Sequence, residues 1–413
     1  MKFDKNKSEF VHQWYPFVEG YSKEFITGIL EELNYEPTLC LEPFAGSGTT
    51  PVELQHHGIK CLSFEVSPFM HLLASVKLER AYRLKELNKY FSRLEKLLTE
   101  VANKAPVLPI PVAETLVEKK GLDKWIFNRE TFHGILDIKY AVGRIVDQKY
   151  KNLFLIALAS ILLEVSNVFR NGKCVSYRTD WKTRKQYSRR KVHKLFLSRI
   201  TGKIMNDIEI IESMPLGDIN NKRLCYLQDI RKGIVDVPNK SIDLVITSPP
   251  YLNSRDYTDI YRLELWILDL VKDYDEMLEL RKRTLVSHVQ YRLEDSKTVN
   301  SHLLKMTINR IEKHKEQHWN ENLIRMIKGY FRDLDFLFYG LREKMRDNKM
   351  IYFNIANSAY CNEVVRVDEI VSEIAEMNGF RVQEIRKARD LKTSGQQKLK
   401  VKSLQESVIV IKS

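Results

Sequence analysis

Glu42-Pro43-Phe44-Ala45-Gly46-Ser47-Gly48-Thr49 follows the apolar run Thr38 to Leu41 and precedes a helix-forming stretch from Pro51 to His57. A strand that stops in such a loop offers bare backbone at Gly46 and Gly48, where no Cβ blocks an approaching ligand. The helix behind it turns free N–H groups toward the same point. Gly58 ends that helix, and a second strand, Lys60 to Phe64, runs to Glu65. One strand–loop–helix–strand unit of this kind predicts a doubly wound, Rossmann-like α/β sheet.

Glu65 ends the second strand, where an acid commonly accepts hydrogen bonds from ribose hydroxyls. Two phosphate-binding readings fail on missing residues. No lysine follows Gly48, as a Walker loop requires, and Pro51 occupies the position of the third glycine of a dinucleotide fingerprint. What remains is a cofactor with ribose and adenine but no pyrophosphate, and S-adenosylmethionine meets that description. Asp229, after the run Arg223 to Leu227, either accepts from the adenine amino group or caps a strand end.

Further along, Ile242-Asp243-Leu244-Val245-Ile246 ends in Thr247-Ser248-Pro249-Pro250-Tyr251. Two prolines fix φ and donate no N–H, so the loop is stiff and its carbonyls face outward. The Ser248 hydroxyl and a proline carbonyl can accept the protons of an amino group, and Tyr251 gives a base a face to stack on. Methylation at an amino nitrogen needs no enzymic nucleophile, and positioning supplies most of the rate. Methylation at carbon 5 of cytosine needs a cysteine, and the chain has no Pro-Cys dipeptide.

The 413 residues carry a formal charge of +13, with 44% hydrophobic and 29% charged residues. That is a globular composition with room for a catalytic core plus accessory segments, and its basicity suits a polyanionic partner. Five scattered cysteines form no Cys-x-x-Cys pair, which argues against a zinc or disulfide framework and fits a reducing, cytoplasmic setting. No run of 18 apolar residues marks a membrane span. The pattern divides the chain into a cofactor half of the core at 1–80, a helical basic insertion at 81–220, core with the catalytic loop at 221–271, a second helical insertion at 272–330, and core strands and helices at 331–413. Ala105 to Pro111 reads as a linker.

Between Phe169 and Arg199 stand eleven lysines and arginines against one acid, Asp180, with Tyr177, Trp181 and Tyr187 interleaved. Arg170, Arg178, Lys182, Arg184, Arg189 and Arg190 are candidate nucleic-acid contacts, with a solvated helix face as the alternative. Ser254, Arg255, Asp256 and Tyr257 either line a base pocket or cap a helix from about Asp259 to Val271; Arg255 and Tyr257 are the stronger candidates for substrate contact. His314 and His318 share a helix face at i, i+4, but lack the His-Glu-x-x-His pattern and a third ligand.

These motifs resemble those of the amino-methylating DNA methyltransferases, most closely the cytosine-N4-specific ones. Phe44-Ala45-Gly46-Ser47-Gly48 matches the Phe-x-Gly-x-Gly of that family, and Ser248-Pro249-Pro250-Tyr251 matches its catalytic loop. Adenine-N6 enzymes more often carry Asp or Asn where Ser248 stands. The resemblance implies catalytic Ser248, Pro249, Pro250 and Tyr251, and cofactor contacts at Tyr15, Glu42, Phe44, Gly46, Gly48, Thr49, Glu65 and Asp229. Trp14-Tyr15-Pro16-Phe17 looks like the family segment that closes over the cofactor's methionine, a packed N-terminal arm being the alternative. Double-stranded DNA is the implied partner, with a cognate restriction endonuclease beside it. The cofactor loop precedes the catalytic loop here, the reverse of many cytosine-N4 enzymes. An adenine-N6 or RNA-base enzyme, and an inactive nucleic-acid-binding protein, are the rival readings.

Overall fold

The computed structural model describes residues 3–17, 20–105, 115–171, 174–214, 219–253, 256–289, 299–392, 401 and 403–413. The central sheet has seven strands: β1 (Leu39–Glu42), β2 (Lys60–Glu65), β5 (Cys225–Leu227), β6 (Ile242–Thr247), β7 (Met345–Ala356), β10 (Arg381–Lys392) and β11 (Ser403–Lys412). Two short hairpins, β3 (Val168–Arg170) with β4 (Val175–Tyr177) and β8 (Ser358–Tyr360) with β9 (Glu363–Val365), lie outside it. The sheet order is β10-β11-β7-β6-β1-β2-β5. Every pairing from β7 to β5 is parallel, while β11 runs antiparallel to both of its neighbours.

Side-chain alternation explains the layers. Leu41, Val245, Phe353 and Ile409 point to one face, where they pack with the helices Leu323–Lys344 and Val367–Met377. Cys40, Leu244, Ile246 and Tyr352 point to the other, against the helices Lys23–Glu32 and Thr49–His56. All six residues of β6 are buried, as a central parallel strand covered on both faces requires.

Between β2 and β5 the chain forms a helical body around Gln148–Val165, which buries eleven of its residues. The basic stretch 169–199 is not helical throughout: its first part forms the β3–β4 hairpin, and a helix begins only at Arg189. The expected helix from Asp259 to Val271 is two short ones, Tyr257–Ile260 and Arg262–Ile267, broken at Tyr261. Leu323–Lys344 runs unbroken across residue 330, where the sequence pattern ended the second insertion. His314 and His318 do not share a helix face, because the helix His302–Glu312 stops before them and a 3-10 turn, Lys315–Gln317, separates them. Most of the expected linker, from residue 106 on, lies outside the described residues. Among the described residues no helix is long and apolar enough to cross a membrane.

Candidate active site

In a doubly wound sheet, ligands bind beyond the carboxyl ends of the strands where the strand order reverses. Here that point lies between β1 and β6, which pair side by side with Cys40 opposite Leu244 and Leu41 opposite Val245. The glycine loop leaves the end of β1 and the Ser248-Pro249-Pro250-Tyr251 loop leaves the end of β6. Both line one cavity of about 220 Å³.

On the cofactor side the wall holds Phe44, Gly46, Ser47, Thr49, Glu65 and Asp229. Glu65 braces the loop: one oxygen accepts from the Gly46 N–H at 2.8 Å and the other from the Ser67 N–H at 2.8 Å. Burial raises its pKa against the pull of the Ser67, Gly46 and Val66 N–H groups. The Ser47 hydroxyl is buried with no partner among the described residues, and Gly46 presents no side chain to the cavity. An unsatisfied hydroxyl, a paired acid and a bare Cα suit a ribose-bearing ligand. Asp229 lines the cavity, but its carboxylate already caps the helix Ile230–Gly233 and pairs with Arg231 at 2.7 Å.

Three expected cofactor contacts stand behind this wall. Gly48 does not line the cavity; at φ +81° it packs against Ala74, whose Cβ would lie 2.8 Å from an added Cβ. Glu42 lies beneath both loops, accepting from Tyr21 Oη (2.8 Å), Thr50 Oγ1 (2.8 Å), the Phe44 N–H (3.0 Å) and Thr247 Oγ1 (2.5 Å). Burial pushes its pKa to about 7 despite those donors. Tyr15 is buried outside the cavity and hydrogen-bonds Glu264 at 2.8 Å. Its arm is pinned through Asp207, which accepts from the Val11 N–H, Gln13 and Trp14. Phe17 and Tyr21 of the same arm reach the cavity instead, with Phe17 stacked on Tyr261 at 6.0 Å. The aromatic segment was legible in the sequence; which ring faced inward was not.

On the substrate side, Tyr330 Oη donates to the Pro250 carbonyl at 2.9 Å and Tyr360 Oη to that of Leu252 at 2.9 Å. Among the described residues no side chain or turn donates to the Pro249 carbonyl, which leaves it an unspent acceptor of the loop. The Ser248 hydroxyl sits 3.4 Å from both Tyr251 Oη and Asn354 Nδ2. Tyr257 lines the cavity, its hydroxyl 3.4 Å from the Tyr251 nitrogen. Arg255 and Ser254 lie outside the described residues. Asn354, Arg389 and Glu406, from the far strands, complete the wall together with Leu280 and Arg283. No motif in the sequence marked these residues as site residues, because strand pairing alone brings them to the Ser248-Pro249-Pro250-Tyr251 loop.

Most of the candidate DNA-contacting arginines are committed to the interior. Arg184 donates to the carbonyls of Glu164 (2.8 Å) and Ser166 (3.0 Å), and Arg178 reaches that of Leu163, so both close the end of Gln148–Val165. Arg189 grips Asp137 through two nitrogens at 2.5 and 2.6 Å and donates to the Val101 carbonyl at the end of Leu84–Val101. Arg170 pairs with the buried Glu264 at 2.6 Å. Helix C-termini carry unpaired carbonyls and partial negative charge, which cationic side chains satisfy. Lys182 and Arg190 remain exposed. Among the described residues no cluster of potential ligands could hold a metal ion.

No family model matches the sequence. The chain is 25% identical over 435 residues to Type II methyltransferase M.BsoBI of Geobacillus stearothermophilus, covering 92% of this chain and 81% of that protein. It is 24% identical over 430 residues to Type II methyltransferase M.AvaI of a Nostoc species, covering 93% and 82%. Type II methyltransferase M.MvaI of Kocuria varians is 23% identical over 381 residues, covering 89% and 82%. The similarity to methyltransferases therefore extends over nearly the whole chain, well beyond the glycine loop.

Proposed function

We propose that this chain is an S-adenosylmethionine-dependent DNA methyltransferase that modifies the exocyclic N4 amino group of cytosine within a specific sequence, as the modifying partner of a restriction endonuclease. The observation that carries the reading is the single cavity shared by the Gly46 loop and the Ser248-Pro249-Pro250-Tyr251 loop. The similarity to Type II methyltransferases supports DNA as the substrate.

S-adenosylmethionine, when bound, supplies an electrophilic methyl group. Phe44, Gly46, Ser47, Thr49 and Glu65 would hold it, with Phe17 and Tyr21 closing the far side. The chain's remaining task is to orient one amino nitrogen in the cavity. The Pro249 carbonyl and the Ser248 hydroxyl accept hydrogen bonds from its N–H groups, and Tyr251 stacks the base that carries it, which must leave the duplex to reach this depth. Cytosine N4 rather than adenine N6 rests on Ser248 standing where adenine enzymes more often have Asp or Asn. Residues 81–220 and 272–330 are the candidate DNA-holding segments of a cytoplasmic enzyme, with Lys182 and Arg190 exposed for phosphate contacts.

Nucleoside mass spectrometry of DNA and of RNA, each incubated with the protein and isotopically labelled S-adenosylmethionine, tests the reading. Labelled N4-methylcytosine is the expected product. Labelled N6-methyladenine would overturn the base assignment, and label in RNA alone would overturn the substrate.

A further inference from the structure

An aromatic ring that only stacks a base needs no hydroxyl, yet the Tyr251 hydroxyl is surrounded by buried polar groups. It donates to Glu406 Oε1 at 2.6 Å and accepts from Asn354 Nδ2 at 2.8 Å, while Asn354 Nδ2 also reaches Glu406 Oε1 at 3.1 Å. Arg389 pairs with the second carboxylate oxygen. Glu406 is 3% exposed and Asn354 2% exposed. Register accounts for the convergence: Arg389 stands directly opposite Glu406, and Asn354 stands opposite Val408, two residues along the same face of β11.

A buried carboxylate is costly to keep, and so is the arginine that neutralises it. Burial and the Glu406 charge raise the Tyr251 pKa well above that of a free tyrosine, so the hydroxyl stays a donor. The prolines before Tyr251 fix the backbone but leave the ring free to turn about its own side-chain bonds. The grip on the hydroxyl removes that freedom. It also sets the ring against β7 and β11, strands of the rigid sheet, with the Ser248 hydroxyl of its own loop 3.4 Å from the same oxygen.

We propose that Glu406, clamped by Arg389 and Asn354, is a positioning residue for base methylation: it holds the Tyr251 hydroxyl and so fixes the ring on which the target base stacks. The proposal rests on the base-methylating function above. It makes Tyr251 and Glu406 one unit, so that losing either end of the hydrogen bond has the same effect.

The test is a double-mutant cycle of Tyr251→Phe and Glu406→Gln in the full chain. Its readouts are kcat and KM for DNA methylation, the S-adenosylmethionine dissociation constant and the melting temperature. Each single variant is expected to lose about 10- to 100-fold in kcat, the scale of a small misplacement of reacting groups. Cofactor affinity should stay within about twofold of wild type, and the double variant should fall no further than the worse single one. Tyr251→Phe keeps the ring and its packing, so it separates the anchor from the fold. Wild-type kcat in Tyr251→Phe, multiplying losses in the double variant, or a loss confined to cofactor affinity would each overturn the proposal. A wild-type protein that methylates no nucleic acid would overturn the function itself, and this reading with it.

Discussion

Alanine at each loop glycine should separate a residue that would hold the proposed cofactor from one that holds the fold. Gly48 stands at φ +81° and Gly46 at φ +51°, where a side chain costs about 1–2 kcal/mol. The two differ in what the new methyl meets. At Gly48 it would lie 2.8 Å from Ala74 Cβ and 3.0 Å from Ala74 Cα, so the helix Pro68–Lys77 must shift. Overpacking of that kind adds about 1–3 kcal/mol, giving roughly 2–5 kcal/mol in all for Gly48→Ala. At Gly46 the nearest atom is Phe17 Cζ at 3.6 Å, an ordinary contact, so the stability loss should stay near the backbone cost of about 1–2 kcal/mol. That methyl stands on the cavity wall, however, and should weaken S-adenosylmethionine binding by about tenfold or more, equivalent to about 1.4 kcal/mol. Urea unfolding and calorimetric titration of both variants measure the two quantities independently. Wild-type stability in Gly48→Ala, or wild-type cofactor affinity in Gly46→Ala, would refute this division.

Burial lifts the Glu42 pKa from its ordinary 4.5 to about 7 in the fold, so its contribution is present below pH 4.5 and lost as pH rises to about 7. Relative to Glu42→Gln, wild type should lose on the order of 3 kcal/mol across that window, and parallel stability–pH curves from urea unfolding would contradict it. Arg189→Ala leaves Asp137 with His193, at 2.9 Å, but without its bidentate partner and should cost about 1–3 kcal/mol of stability, with little change in the salt dependence of DNA binding. Lys182→Ala with Arg190→Ala should do the reverse, lowering the salt slope of DNA affinity by about 1 for each phosphate no longer neutralised; fluorescence anisotropy across a salt series decides it. Tyr251→Ala should weaken engagement of the flipped base by about 1–3 kcal/mol and leave calorimetric cofactor affinity intact.

The two strand-ending loops were legible because their chemistry is local: glycine and proline dictate backbone shape whatever surrounds them. Lys60–Glu65 appears at the bounds that its pattern predicted. What the sequence could not disclose was direction. Arg170 and Arg189 read as phosphate contacts by composition, but their partners, Glu264 and Asp137, lie 94 and 52 residues away in the chain. A run of positive charge looks the same whether it faces solvent or closes the ends of buried helices. Likewise Glu42 and Tyr15 belong to the right segments, but packing turned them to bracing roles behind the cavity. Asn354, Arg389 and Glu406 carried no local signal at all, because only the placement of β7 between β6 and β11 brings them to Tyr251.

Two buried acids therefore bracket the Ser248-Pro249-Pro250-Tyr251 loop. Glu42, on β1, accepts from Thr247, the residue before Ser248. Glu406, on β11, accepts from Tyr251, the last residue of the motif. Between them, Tyr330 fixes the Pro250 carbonyl from the helix Leu323–Lys344. The loop is tied before, within and at the end of its four residues to elements whose positions are set by the sheet core. The Pro249 carbonyl, free of any described donor, thus inherits its aim from the strand order itself. A preorganised acceptor of this kind needs no rearrangement when an amino group arrives, which is where a reaction without an enzymic nucleophile must find its rate.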